Sequence, residues 1–205
     1  VKLAENAYRD VNIAFANELS VVCDNLGIDP WEAVALANHH PRVNILQPGP
    51  GVGGHCIAVD PWFIVDAAPD DTPLIQAARQ VNDGKPGRIV AAVKAMSDNL
   101  DNPTVACLGL SYKADIDDLR ESPAVDITRA IAWQIDGTVL CVEPHIDELP
   151  ESLNDMKNLR LTDQETAYEA ADIIVLLTDH AMFRDLPPAY REGQQIIDTR
   201  GAWRE

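Results

Sequence analysis

The alternation of apolar strands with helices after Thr104 is the feature that most constrains the fold. Residues 105–110 are typical of a buried strand that ends in a glycine turn, and residues 172–177 form a second apolar strand. Further elements are expected as strands at 138–142, 159–161 and 195–198 and as helices at 123–133 and 163–170. This alternation predicts a parallel, Rossmann-like α/β sheet. Ligands of such sheets bind beyond the carboxyl ends of the strands.

The first half of the chain has helical periodicity. Residues 2–27 carry apolar side chains at three- to five-residue steps, which predicts one long helix that ends at a glycine. Asp29 and Pro30 are typical of the cap and first turn of a shorter helix. The same reasoning predicts a proline- and glycine-rich loop at 41–62 and two helices at about 74–82 and 86–100. We therefore expect a helical unit over 1–100 and an α/β unit over 101–205.

The charge balance limits the classes of partner. The net charge is −17, from 33 acidic and 16 basic residues, so nucleic acid and anionic membranes would be repelled. An acidic, lysine-poor surface suits a high-salt cytoplasm and suggests a halophilic, cytoplasmic protein, the alternative being an acidic mesophile. The first residues are typical of the middle of a helix, so we expect the native protein to begin upstream.

Cys56 is the cysteine whose surroundings suggest chemistry. It follows the segment Gly49–Gly54 and His55, whereas Cys23, Cys107 and Cys141 lie in apolar stretches and are expected to be buried. None of the four forms a C-x-x-C pair, and His39 and His40 lack the spacing of metal ligands. We therefore expect no metal site.

The segment Gly49–Gly54 formally matches the dinucleotide-binding pattern G-x-G-x-x-G. That fingerprint must follow a strand and open a helix, whereas prolines flank this segment and residues 55–61 are expected to be extended. A loop whose glycines let backbone amides approach a ligand is the favoured interpretation. A thiol held there beside His55 and Asp60 is a candidate nucleophile, the alternative being a structural cysteine beside a surface histidine.

Two further groups of polar residues are candidates for ligand binding. Lys2, Asn6 and Arg9 share one face of the first helix, which is also the pattern of a solvated stripe. Lys113 follows the first strand of the sheet, and Arg120 precedes a helix that Ser122 is expected to cap. A solvated charged loop is the alternative there.

Three segments carry a resemblance to a known family: residues 49–62, 6–19 and 118–123. They are similar to segments of the UDP-glucose/GDP-mannose dehydrogenase family, and the cysteine loop most resembles the branch that acts on UDP-N-acetyl-D-mannosamine. The resemblance implies an N-terminal NAD-binding domain, a central helical dimerisation domain and a C-terminal nucleotide-sugar domain. This chain resembles the last two, over 1–100 and 101–205.

The resemblance implies oxidation of a sugar C6 alcohol to a carboxylate with two NAD, and a role in polysaccharide biosynthesis. Cys56 would form a thiohemiacetal and then a thioester, with Lys2 as acid/base or oxyanion stabiliser, Asn6 as its support, and Asp60 positioning Lys2 or the hydrolytic water. The resemblance also implies contacts to the sugar from Arg9, His40, Arg42 and Gly53, with Arg42 acting across a homodimer. It implies contacts to the nucleotide sugar from Tyr112, Lys113 and Arg200, and a contact to NAD from Arg120.

Other functions stay open at this point. The chain alone is expected to be inactive, because the resemblance does not cover the NAD-binding domain. A non-catalytic, dimeric UDP-sugar-binding module is one alternative, and a thiol enzyme of another kind, such as an acyltransferase, is another. UDP-N-acetylglucosamine and UDP-glucose are the alternative substrates.

Overall fold

The computed structural model describes residues 1–185, 187–189 and 191–204. The chain divides into two compact units, Val1–Lys85 and Pro86–Glu205. This boundary lies earlier than the expected one at residue 100, and it falls inside a helix instead of a linker. None of the described helices is both long enough and apolar enough to cross a membrane.

The first unit is helical. Its elements are α1 (Lys2–Leu26), α2 (Pro30–Ala37), α3 (Asp60–Ala67), a short 3-10 turn (Pro69–Asp71) and the first half of α4 (Pro73–Ser97). Helix α1 ends as expected, because Gly27 adopts the left-handed conformation at φ 68°. Helix α2 begins at the expected cap, where the Asp29 carboxylate accepts hydrogen bonds from the amides of Trp31 and Glu32 at 2.9 and 3.0 Å.

Two local expectations were wrong, and proline explains both. Residues 55–59 form turns instead of an extended segment, and Pro61 lies in the first turn of α3, where a missing N–H costs nothing. The two helices expected at 74–82 and 86–100 are one helix, α4, with Pro86 inside it. A proline removes one backbone donor, and buried side chains on both sides of it, such as Asn82 and Val90, compensate by packing.

The second unit is the expected α/β sheet. Its strands are β1 (Thr104–Leu108), β2 (Thr138–Val142), β3 (Leu159–Leu161), β4 (Ile173–Leu176) and β5 (Gln195–Asp198). All four pairings are parallel, in the order β3-β2-β1-β4-β5. The helices are α5 (Pro123–Gln134), α6 (Gln164–Ala170) and α7 (Ala181–Asp185). The carboxyl ends of all five strands therefore meet at one edge.

The core lies on both faces of this sheet. Cys107 and Ile127 belong to the cluster on one face, and Leu140 and Phe183 to the cluster on the other. Burial raises the pKa of the Cys107 thiol to about 12, so it stays protonated and unreactive. Cys23, Cys107 and Cys141 are all buried, which confirms that they act as small apolar residues.

Candidate functional site

The four residues expected to be catalytic lie together in the first unit. Asn6 Nδ2 donates a hydrogen bond of 2.6 Å to Asp60 Oδ2, and Lys2 Nζ lies 3.7 Å from the same oxygen. The pKa of Lys2 is raised, first by a hydrogen bond with the Cys56 side chain and then by the charge of Asp60. The ammonium group of Lys2 thus adjoins both the thiol and the carboxylate.

Local structure explains why these side chains meet. Lys2 and Asn6 are four residues apart on α1, which places them on one face of the helix. The Cys56 carbonyl accepts hydrogen bonds from the amides of Val59 and Asp60 at 3.2 and 2.8 Å, so a single backbone turn joins Cys56 to Asp60. Gly54 precedes this turn at φ 83°, a conformation that favours glycine.

Burial differs among three of these groups. Asp60 is almost fully buried, Cys56 is half-buried, and Lys2 is exposed. An accessible thiol beside a cation and a buried anion is suited to attack a carbonyl carbon and to stabilise the resulting oxyanion. The neighbouring His55 is exposed.

The residues expected to contact the sugar, unlike the four central residues, do not all lie together. Arg9 lines a cleft of about 360 Å³ together with Asn6, Tyr8 and Asn44. His40 and Arg42 are both exposed, and His40 Nδ1 accepts a hydrogen bond of 3.2 Å from the Arg42 amide. Gly53 lies in the loop before Cys56, half-buried. Arg9 therefore shares a cleft with one of the four central residues.

In the second unit, cations follow the strands as expected. Lys113 is exposed on the loop after β1, and its carbonyl accepts a hydrogen bond of 2.7 Å from Ser111 Oγ. Tyr112 is half-buried on the same loop. Arg200 follows β5, and its Nε donates to Asp179 Oδ1 at 2.9 Å. The loops after β1 and β5 thus each carry a cationic side chain.

Arg120 lies just before α5 and is mostly exposed. Asp118 binds it at two points, with Oδ1 2.8 Å from Nε and Oδ2 2.7 Å from a terminal nitrogen. This pairing raises the pKa of Arg120. Ser122 caps α5 by accepting a hydrogen bond of 3.2 Å from the Ala124 amide, as expected. The guanidinium is therefore oriented by its own loop.

A buried pair that the sequence did not predict, Glu143 and His180, lies at the same sheet edge. Glu143 Oε2 lies 3.0 Å from His180 Nε2, and neither side chain is exposed. The same oxygen accepts the amides of Leu110 and Ser111 at 2.7 and 3.1 Å. Burial alone would raise the pKa of Glu143, but the bonds from His180 and the Leu110 amide outweigh it and lower the pKa.

This pair shapes the loop that carries Lys113. His180 Nδ1 accepts a hydrogen bond of 2.9 Å from the Asp115 amide, which leaves the Nε2 proton to bond Glu143. Gly109 is at φ 82°, and a Cβ there would come within 2.5 Å of Thr178. The signal in the sequence is that Glu143 directly follows β2 and that His180 comes four residues after β4, at the strand ends where parallel sheets place their sites.

Three potential metal ligands also meet at this edge. Ligand atoms of Asp115, His145 and His180 all lie within 4.8 Å of one another. However, His180 Nδ1 already bonds the Asp115 amide and Nε2 bonds Glu143, so no lone pair of that ring is available without breaking the loop contact. We therefore assign no ion to this cluster.

Comparison with known proteins decides the family. The family model described as "UDP-glucose/GDP-mannose dehydrogenase family, central domain" matches residues 1–84, and its "UDP binding domain" counterpart matches residues 106–205. The chain belongs to the UDP-glucose/GDP-mannose dehydrogenase family. The first match coincides with the first compact unit, and the second covers the second unit from residue 106 onward.

Curated members of this family match the whole chain. An NDP-N-acetyl-D-galactosaminuronic acid dehydrogenase of Ralstonia solanacearum is 58% identical over 98% of this chain and 47% of its own length. A UDP-N-acetyl-D-mannosamine dehydrogenase of Yersinia pestis is 55% identical over 99% of this chain and 50% of its own length. The chain thus spans about half the length of the curated relatives it matches.

Solved structures of the family share the fold. A UDP-N-acetyl-mannosamine dehydrogenase, Cap5O of S. aureus, is similar over 100% of this chain and 47% of its own, with a TM-score of 0.81 and 40% identity. A UDP-D-ManNAc dehydrogenase of Pyrococcus horikoshii covers 99% of this chain and 48% of its own, with a TM-score of 0.82 and 34% identity.

Proposed function

We propose that this chain supplies the catalytic thiol and the nucleotide-sugar-binding unit of an NAD-dependent nucleotide-sugar 6-dehydrogenase. The observation that carries the proposal is the convergence of Lys2, Asn6 and Asp60 around the accessible Cys56. The proposed substrate is UDP-N-acetyl-D-mannosamine, whose C6 alcohol is oxidised to a carboxylate. Relatives named for that substrate, at 50 to 55% identity, support this choice.

The proposed role of Cys56 is to hold the sugar between two oxidations. NAD, when bound, accepts one hydride in each oxidation. The thiolate attacks the C6 aldehyde, a C–S bond forms, and protonation of the oxyanion gives a thiohemiacetal. Its oxidation gives a thioester. Water then attacks the carbonyl carbon, the C–S bond breaks, and the thiolate leaves with the carboxylate as the product.

The geometry favours an electrostatic role for Lys2. Because Cys56 and Asp60 raise its pKa, Lys2 stays an ammonium ion at neutral pH and stabilises an oxyanion on the aldehyde carbon. Asp60 forms an ion pair with that ammonium group and accepts a hydrogen bond from Asn6. Asp60, a buried carboxylate four residues after Cys56, is also suited to orient the hydrolytic water.

The second unit has the charges that a nucleoside diphosphate needs. Lys113 and Arg200 are the proposed phosphate ligands, and Tyr112 lies on the same loop as Lys113. Arg120, exposed and oriented by Asp118, is the residue of this chain that we propose to contact NAD. In the described part of the chain the segment Gly49–Gly54 follows no strand, so it does not form a dinucleotide fingerprint. Dehydrogenase activity of residues 1–205 alone is therefore not expected.

A homodimer is part of the proposal. Phe15, Val22 and Leu26 lie on one face of α1 and are 56%, 47% and 66% exposed. Large apolar side chains grouped on a helix face are typical of an interface between subunits. A two-fold arrangement would bury this face against its own copy. Arg42, which is exposed, would then serve the sugar site of the partner.

A second substrate is favoured by one observation. The relative at 58% identity is named an NDP-N-acetyl-D-galactosaminuronic acid dehydrogenase, which points to a galactosamine-type sugar. Both sugars carry an N-acetyl group and a C6 alcohol, so the chemistry at Cys56 is the same. Comparing the affinities of the two UDP-sugars for the protein distinguishes these substrates.

Alkylation of the folded protein tests the catalytic assignment. Cys56 should react with iodoacetamide before the other cysteines, because Cys23, Cys107 and Cys141 are buried. Peptide mapping by mass spectrometry identifies the adduct, and Cys56→Ser is the control for background. Labelling that begins at a buried cysteine would contradict the assignment and would favour the non-catalytic binding module.

A further inference from the structure

Asn17 lies in the interior of α1 and is fully buried. Its Oδ1 accepts a hydrogen bond of 2.9 Å from the Gly49 amide, and its Nδ2 donates one of 2.9 Å to Asn82 Oδ1. Asparagine is a poor helix former, because its side chain competes for the backbone. Both ends of this amide are used in contacts with other segments, which indicates a tertiary role.

The direction of each hydrogen bond in this network is fixed by its two ends. The Gly49 amide can only donate, and the Asp10 carboxylate, which is 2.6 Å from Arg79, accepts. Asn82 connects them by donating to Asp10 Oδ1 at 2.8 Å. Reversing either side-chain amide would place N–H groups against each other. The network therefore has one satisfied arrangement, and it holds Gly49 in one position.

The loop that carries Cys56 is consequently attached to α1 at both ends. Asn17 binds its start at Gly49, and Asn6 binds its end at Asp60. The anchors are 17 − 6 = 11 residues apart on the helix, or about 16 Å along its axis. Lys2 projects from the same helix. One rigid element thus sets the position of the loop relative to the ammonium group.

We propose that Asn17 is a positioning residue that holds the Cys56 thiol beside Lys2. This inference rests on the proposed function, since the position of the thiol matters only if it reacts. Without the Asn17 acceptor, the Gly49 amide is buried and unsatisfied, and the loop start moves to recover a partner. The thiol then leaves its place beside the ammonium, and small displacements of reacting groups are costly.

The ratio of two alkylation rates at Cys56 tests this position. Iodoacetate is an anion and iodoacetamide is neutral, so a nearby ammonium favours the former. Two unit charges about 4 Å apart in water attract each other by about 1 kcal/mol, which corresponds to a preference of about fivefold. Lys2→Met shows its complete loss. Asn17→Ala should lower the iodoacetate/iodoacetamide ratio at least about twofold relative to wild type. Ser20→Ala is the matched control, because Ser20 is buried on the same helix but binds Lys85 and the Asn17 carbonyl.

The ratio distinguishes a displaced thiol from a less stable protein, because global unfolding speeds the alkylation of Cys56 by both reagents equally. The inference would be overturned if the ratio in Asn17→Ala equalled that of wild type. It would also be overturned if Ser20→Ala lowered the ratio as much as Asn17→Ala does. If Asn17→Ala does not fold, hydrogen exchange of the Gly49 amide in the wild-type protein is measured instead. Exchange as fast as that of an unprotected amide would overturn the inference. Failure of Cys56 to react first in wild type would instead refute the proposed function.

Discussion

Replacing Glu143 with glutamine tests how the sheet edge is held together. The wild-type carboxylate accepts hydrogen bonds from the amides of Leu110, Ser111 and His145 and from the ring of His180. Three of these reach Oε2, so the glutamine carbonyl can keep them as neutral bonds. The fourth, at Oε1, is lost, because the glutamine NH₂ group faces the His145 amide.

The magnitude follows from those contacts. Charge-assisted hydrogen bonds are about twice as strong as neutral ones, so three weakened bonds cost about 1 kcal/mol each. The donor–donor contact at His145 adds about 1 kcal/mol, and glutamine recovers part of the total because no charge is buried. We expect a net loss of about 3 kcal/mol in the free energy of unfolding of the second unit, with Lys113 and its loop displaced.

Native-state hydrogen exchange of the β1 and β4 amides measures that loss within the second unit alone. A cost of about 3 kcal/mol accelerates exchange about a hundredfold. Glu148→Gln makes the same chemical change at an exposed position of the same unit and should leave exchange unchanged. If Glu143→Gln exchanged no faster than Glu148→Gln, the buried network would not be a stabilising element.

The dependence of stability on pH has a definite sign. The folded pKa of Glu143 lies below its ordinary value of 4.5. Its stabilisation is therefore complete above about pH 4.5 and is lost as the pH falls through the lower folded value. Glu143→Gln should lack this part of the acid destabilisation, whereas Glu148→Gln should retain it.

The remaining predictions concern ligands and assembly. Calorimetry should show UDP binding that is weakened about tenfold by Lys113→Ala, because a charge-assisted phosphate contact is lost; NAD should bind weakly, and the reverse preference would contradict the proposal. Light scattering should show a dimer that high salt strengthens, since salt screens the charge of −17 on each subunit and favours apolar burial. Val22→Asp should give a folded monomer, and a wild-type monomer in high salt would refute the shared sugar site.

The sequence predicted elements where one local signal dominated. The cap at Asp29, the glycine stop of α1 and the parallel sheet all follow from short patterns that act on the backbone. Pro61 and Pro86 were misinterpreted because proline is compatible with a first turn and, when packing compensates, with a helix interior. Tertiary packing decides between these outcomes.

The site was predictable to a similar extent. Lys2 and Asn6 share a helix face by spacing alone, and the structure brings them to Asp60 and Cys56. The Glu143–His180 pair joins residues 37 positions apart, and no local pattern encodes that contact. Asn17 gave only a weak signal, as a poor helix former inside a helix, and its partner Gly49 is 32 residues away.

Covalent addition of Cys56 to a sugar aldehyde is the central claim, and carbon NMR tests it without the oxidation steps. UDP-N-acetyl-D-mannosamine 6-aldehyde, labelled with ¹³C at C6, is added to the protein. We predict a thiohemiacetal resonance at C6 that is absent with Cys56→Ala and weakened with Lys2→Met, which removes the ammonium beside the thiol. If the wild-type protein gave only free and hydrated aldehyde, or if the new resonance persisted with Cys56→Ala, Cys56 would not be the nucleophile.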